Sequence, residues 1–459
     1  MKRTLTAFIT AAALLMSACA ADGADDADDA KVDDATTEAT SPGDASTTPA
    51  EGDAAAFGDL GEPCGPGDAT VAPEDAGRGT DKLYIAVAND RASIRTGLNQ
   101  EMWDATTAFV DWCNDQGGVR GLPLEAIDVD GRLFELEAAM ATTCADAFAL
   151  VGGGWAQDNL AFSGKPDADF ELCDMIAIAG FGVSPEFSGH ERVVMPLPNR
   201  EDLRPVSHFE AFAEAFPEET KNFGILYGGL PMMENNMKQN KAALEKIGWE
   251  NIQTIVYDPI NPDWSVIAQQ VKSAGLQSIA WVGEPQFLSA FSLAMKDQGW
   301  QGRIIGETNI YDERFLGVNG PEAVEGVVVR GVFPPFEEAA DWPLTERFLE
   351  IVDTYSPDWP RASLAVQSFS AALMFATAAK ECAEQGPITR DCVLQTAGSY
   401  TEWTAGGLHP SGNPAENEAS PCNMLLEVRG GKFERLSPEL DGEHDDDLGL
   451  RCSDLISIG

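Results

Sequence analysis

From Lys82 onward, short apolar runs alternate with stretches in which apolar residues return every three or four positions. "KLYIAVA" (82–88) reads as a strand, and Met102, Ala105, Phe109 and Trp112 lay one apolar stripe along a helix expected over 96–115. "LPLEAIDVD" (122–130), "FALVGGG" (148–154) and "DMIAIAGF" (174–181) continue as strands, with helices expected over 133–148 and 159–173. After "MPLPNREDLRP" (195–205) the alternation restarts. "NFGILY", "IQTIVYD", "QSIAWVG", "GRIIGET" and "EGVVVRGVF" are its strands. Helices are expected over 233–247, from the cap Asp263 to 274, and over 285–298. An Ala-rich helix at 363–383 follows, and "NMLLEVRGGKFERL" reads as a β-hairpin turning at Gly430-Gly431. Two runs of βα units predict an α/β protein with two lobes, each built on a parallel sheet.

Ligands of open α/β sheets sit beyond the carboxyl ends of the strands. That selects six loops: 89–98, 152–159, 180–185, 228–236, 283–287 and 307–311. The second begins Gly152-Gly153-Gly154 and has the outline of a phosphate loop. A dinucleotide fingerprint needs a third spaced glycine where Gln157 stands, and it belongs to the first strand, not the third. No phosphate-loop lysine follows. The four histidines, His190, His208, His409 and His444, form no H-E-x-x-H, and no G-x-S-x-G elbow occurs. "EHDDD" near the C-terminus reads as a solvated acidic stretch, and "DVDGR" (128–132) places its glycine too early for a calcium loop. No catalytic group, metal or cofactor is expected.

The N-terminus changes the setting. Met1-Lys2-Arg3, a short apolar stretch and "LMSAC" form an export signal over 1–19 that ends like a bacterial lipobox, so Cys19 is the expected lipidation site. Residues 20–80 carry 16 acids and 2 bases with almost no large apolar groups, which predicts a disordered acidic tether. It holds −14 of the formal −45, leaving −31 on the remainder, a balance that argues against nucleic acid as a partner. Nine cysteines less Cys19 leave eight, an even number that suits disulfides in an exported protein. Counting does not give their connectivity. Cys382–Cys392 and Cys422–Cys452 are expected as local closures, with Cys144–Cys173 and Cys64–Cys113 expected for the rest.

"FVDWCNDQGGVRGLPLEAIDVD" resembles the first helix and second strand of the leucine/isoleucine/valine-binding family, the type I periplasmic solute-binding proteins of ABC importers. Asn114, Gly117, Gly118, Val119, Gly121 and Asp128 carry the match; the glycine pair ends the helix in a left-handed cap. Tyr257, Pro259, Asp263 and Trp264 match a second-lobe motif, and "ECAEQGPITRDC" is similar to the family's short disulfide loop. The resemblance implies two Rossmann-like lobes joined by three crossovers around a ligand cleft. Lobe 1 would be 81–200 and 333–405, and lobe 2 would be 201–332 and 406–459.

It also implies a pocket, and there the chain departs. The family's Ser/Thr clamp for an amino acid corresponds to Gly154-Trp155-Ala156-Gln157 and Phe181-Gly182-Val183, where the hydroxyls are replaced. Glu307 corresponds to the acid that takes an ammonium, and a tyrosine of the first lobe-2 loop is lost in "GGLPMM". The expected ligand residues are Asn89, Arg91, Trp155, Gln157, Phe181, Val183, Glu284, Glu307, Asn309 and Tyr311, with Trp155 as an apolar wall; Trp264 and Trp281 are expected in the core. The function implied is a lipid-anchored receptor on the outer face of the cytoplasmic membrane. It would pass an amino-acid-like solute, an amide, a urea or an aromatic acid to an ABC permease and its ATPase subunits. The alternatives are a ligand sensor of the same fold and, last, a secreted enzyme.

Overall fold

The structure, a computed structural model, describes residues 55–165 and 169–459. The export signal, Cys19 and the tether up to residue 54 lie outside the described residues. Strands β1 (Leu83–Asn89), β2 (Leu124–Asp130), β3 (Ala149–Gly153), β4 (Ala177–Ile178) and β5 (Val193–Val194) form a parallel sheet in the order β2-β1-β3-β4-β5. Both faces of this sheet are covered, so β1 and β3 are buried throughout. The period of two decides what each residue meets. Leu83 and Ile85 pack with Phe109 of the helix Gln100–Asp115 and Phe369 of the helix Ser363–Ala383, whereas Tyr84, Ala86 and Ala88 pack with Leu136 and Met140 of the helix Leu136–Asp146.

In the second lobe, β6 (Leu203–Arg204) precedes β7 (Phe223–Gly228), β8 (Gln253–Tyr257), β9 (Ser278–Val282), β10 (Arg303–Gly306) and β11 (Val328–Gly331). The hairpin β12 (Cys422–Arg429) and β13 (Lys432–Ser437) turns at Gly430-Gly431, both at positive φ, and adds antiparallel to β11. The sheet runs β13-β12-β11-β10-β9-β7-β8, while β14 (Arg451–Cys452) pairs with β12 and β15 (Ile456–Ser457) with β6. The chain therefore passes between sheets three times, after β5, after β11 and before β12. Asp263 caps the helix Trp264–Ser273 by accepting the Val266 N–H at 3.1 Å. Trp281 is buried and stacks on Tyr257 at 5.1 Å, and the half-buried Trp264 packs against both.

All four expected disulfides form. Three expectations are corrected. Among the described residues, the helix expected over 159–173 is a 3-10 turn, Asp158–Ala161: Gly164 takes a positive φ and Asp169 accepts the Gly164 N–H. The disordered tether does not reach residue 80. Phe57, Cys64, Val71 and Ala76 are buried against lobe 1, Val71 bridges to Ile388, and Cys64 is bonded to Cys113. Sparse apolar groups anchor this arm because a disulfide holds it where they can be buried. Finally, residues 406–418, assigned to lobe 2, bond to lobe 1: Asn417 Nδ2 donates to Ser188 O, and His409 meets Ser370 on the long helix.

Candidate functional site

Loops at the carboxyl ends of the two sheets enclose a cavity of about 250 Å³. Each of the six loops selected above contributes to its wall, including Arg95, Ala156, Phe181, Met233, Pro285 and Glu307. Most of the lining is apolar. Leu133, Phe134, Val183 and Leu197 come from lobe 1, and Leu230, Met232, Met233, Ile260 and Val282 face them from lobe 2. Ile94, Phe134 and Ile260 stay more than half exposed and mark the mouth.

The glycine loop is a packing device. A Cβ on Gly152 would lie 2.3 Å from Thr106 Oγ1, and one on Gly153 would lie 2.3 Å from the Ala88 carbonyl; both residues sit at φ +62°. Its N–H groups are already used: Gly153 donates to Ser368 Oγ (3.1 Å) and Gly154 to Ala88 O (2.9 Å). No amide at these two positions is left to cradle a phosphate. Two buried carboxylates consume the next donors. Asp90 accepts the N–H groups of Ala156 and Leu133 at 2.7 Å each, and Asp158 accepts those of Val183 (2.6 Å) and Ser184 (2.9 Å). Burial pushes the Asp158 carboxyl up to about 6 against these bonds. In the segments expected to correspond to an amino-acid clamp, the amides of Ala156 and Val183 are spent inside the protein.

At the crossover side, Arg204 and Arg330 flank Glu307. Arg330 Nη1 donates to Glu307 Oε2 (3.0 Å) and its Nε to Asn423 Oδ1 (2.6 Å), while Asn240 Nδ2 donates to Glu307 Oε1 (3.2 Å). Arg204 donates to two amide oxygens, Asn199 Oδ1 (2.9 Å) and Asn240 Oδ1 (2.8 Å). Burial would raise the Glu307 carboxyl, but the guanidiniums of Arg330 and Arg204 hold it well below the usual carboxylate range. Glu307 is thus a carboxylate already neutralised by the protein.

The mouth is bridged between lobes. Arg95 donates to Glu284 Oε2 (3.0 Å) and to the Pro259 carbonyl, and its guanidinium lies 4.3 Å from the Phe287 ring. Arg314 reaches back from lobe 2 to Gly97 O and Glu101 Oε2, both at 2.6 Å, while also holding Asp312. Burial pushes Glu101 up to about 7, with Arg314 pulling the other way and Asp312 adding to the rise.

Of the expected ligand residues, Gln157, Phe181, Val183, Glu284, Glu307 and Asn309 line the cavity together. Gln157 Nε2 donates to Leu133 O (2.7 Å) and Asn309 Nδ2 to Gly283 O (3.0 Å), so both also brace loops. The other four lie elsewhere. Trp155 is 1% exposed, its indole over Gly131 and its N–H on Val129 O (2.9 Å), so it fills the lobe-1 core. Asn89 is buried against Val87 O and Asp128, and Arg91 pairs with Asp128 above the Trp103 ring. Tyr311 donates to Glu337 (2.5 Å) beneath the cleft floor. Arg95, Arg204, Arg314 and Arg330 were not anticipated. A lone cation inside the buried run "VVVRGVF" is the one signal that pointed to any of them.

None of the four histidines lines the cavity. Among the described residues, Cys422, Cys452 and Asp446 lie close enough to hold a metal ion, but both sulfurs are joined in a disulfide. No described helix is long and apolar enough to cross a membrane.

The model of a family described as periplasmic binding protein matches residues 203–432. No curated protein matches the chain. Among solved structures, a fatty acid ABC transporter substrate-binding protein from Thermomonospora curvata is similar over 83% of this chain and 95% of its own, at 17% identity and a TM-score of 0.67. A leucine binding protein from Thermotoga maritima is similar over 77% of this chain and 98% of its own, at 15% identity and a TM-score of 0.65. The branched-chain amino acid transporter substrate binding protein from Streptococcus pneumoniae, solved with isoleucine, is similar over 78% and 100% respectively, at 13% identity and a TM-score of 0.63. At such identities the likeness concerns the fold.

Proposed function

The chain belongs to the periplasmic binding protein family, and on that premise we propose that it is an exported receptor that captures a small organic solute between its lobes and delivers it to an ABC permease. The observation that carries this reading is the cleft itself: a largely apolar cavity between two sheets, with Arg95–Glu284 and Arg314–Glu101 bridging its mouth. Such bonds exist only when the lobes are together, so they distinguish a closed form that a permease can read from an open one. Lipidation at Cys19 would hold the receptor at the outer face of the cytoplasmic membrane, in reach of that permease.

A thermal-shift screen of the purified protein against amino acids, amides, ureas and organic acids tests the reading. A solute present at 100 times its dissociation constant adds ~2.7 kcal/mol, a readily measured rise in the midpoint. Binding without any change in small-angle scattering would contradict closure, and turnover of the bound compound would point to an enzyme instead.

A further inference from the structure

We infer that the solute is an organic monocarboxylate with an apolar body, its carboxylate seated on Arg204 and Arg330 at the crossover side of the cleft. This rests on the solute-receptor reading and names the class of solute. Among the described residues, each carboxylate that lines the cleft is bonded to a guanidinium: Glu284 to that of Arg95, Glu307 to that of Arg330, and Glu101 and Asp312 share that of Arg314. At the crossover end, a cationic solute would have to break the Glu307–Arg330 pair. Arg204 is the exception among the cations. It is 5% exposed, lines the cavity, and, among the described residues, donates to neutral amide oxygens with no carboxylate in ion-pair range. A buried cation without a counter-charge is costly, and two guanidiniums beside one carboxylate leave a single positive charge to be met. The nearby His208 adds nothing to that charge, since burial, then Arg330, hold it neutral.

The remaining wall suits the other end of such a molecule. Phe134, Leu230, Met232, Met233 and Ile260 offer apolar surface from the cavity to its mouth, and methionines adapt to varied shapes. A free amino acid fits less well, because the amides of Ala156 and Val183 are bonded to Asp90 and Asp158.

The test is calorimetric titration of the full protein with octanoate and 3-phenylpropionate, each against its primary amide, with leucine and octylammonium alongside. At least one acid is expected to bind about tenfold or more tightly than its amide, and which acid does so separates a linear from an aromatic body. Arg330→Gln should erase the acid-over-amide preference. Glu307→Gln, which leaves both guanidiniums to the solute, should strengthen acid binding, so the inference stays testable even where Arg330→Gln fails to fold. Amides or octylammonium binding as well as the acids, or leucine binding alone, would overturn the carboxylate assignment and leave the receptor intact. Silence here and across the wider solute screen would overturn both.

Discussion

His409 shows how much of this protein's behaviour is set by single buried groups. Its Nδ1 lies 2.9 Å from the Pro410 carbonyl, which can only accept, so Nδ1 carries the proton. Nε2 must then accept from the Ser370 hydroxyl at 2.8 Å, while Trp403 donates to the same oxygen at 3.0 Å. Burial pushes the imidazole down to about 4, with the Pro410 bond opposing it. The unfolded chain therefore takes a proton near pH 6.5 that the folded one refuses until about pH 4. The stability this histidine supports is complete above the first value and lost as pH falls toward the second, by roughly 3 kcal/mol. Glu101, raised to about 7, works in the opposite sense and favours the folded state as pH falls. Urea titrations of wild type and His409→Gln between pH 7 and 4 isolate the share of His409: the variant should lose part of the downward slope, the buried His208 keeping the rest. A parallel slope in both would remove His409 as its source. Residue-scale features of this kind were the least legible in the sequence. Nothing local distinguishes Trp155, expected in the cleft, from a core residue. Its side was decided by Gly131 leaving room for the indole and by the Val129 carbonyl accepting its N–H. Arg204 and Arg330 stand 126 positions apart, and only the folded sheet brings both to one carboxylate.

Elements were far more legible, because their periodicities are local. The helix Ser363–Ala383 has the bounds its Ala-rich run predicted, and its small residues let the backbone lie against Gly152 and Gly180. The hairpin turn, the Asp263 cap and the glycine pair after Gln100–Asp115 also follow from sequence. The arm at 55–80 did not, since its apolar residues are too sparse for any pattern. A disulfide and a few side chains fix it to lobe 1. Replacing Cys64 and Cys113 with Ala opens a closure with a sequence separation of 49. In the chain-entropy picture that costs about 4 kcal/mol. The double variant should show this loss in denaturant, and limited proteolysis should gain cuts between residues 55 and 80 that the wild type resists. An arm that stays protected would mean that Phe57 and Val71 hold it unaided.

For the whole molecule, the formal charge of −45 decides how a solute arrives. An anion approaching so acidic a protein is repelled at long range even if the cleft welcomes it. Screening shortens that repulsion from ~30 Å at 0.01 M salt to ~8 Å at 0.15 M. Stopped-flow association of a bound carboxylate should therefore quicken as salt rises over that interval. A cationic solute would slow instead, so the sign of the salt effect reports the ligand's charge independently of any variant.

The bridges at the mouth bear on signal against background. Arg95–Glu284 and Arg314–Glu101 are made wholly by protein groups, so they stabilise the shut jaws whether or not cargo is inside. A partner that recognises only the shut form would then meet empty receptors among loaded ones. What tells the two apart must lie at the other end of the cleft, where Arg204 lacks its counter-charge until cargo supplies one. The mouth sets how often the jaws meet; the crossover end sets how long a filled pair stays together.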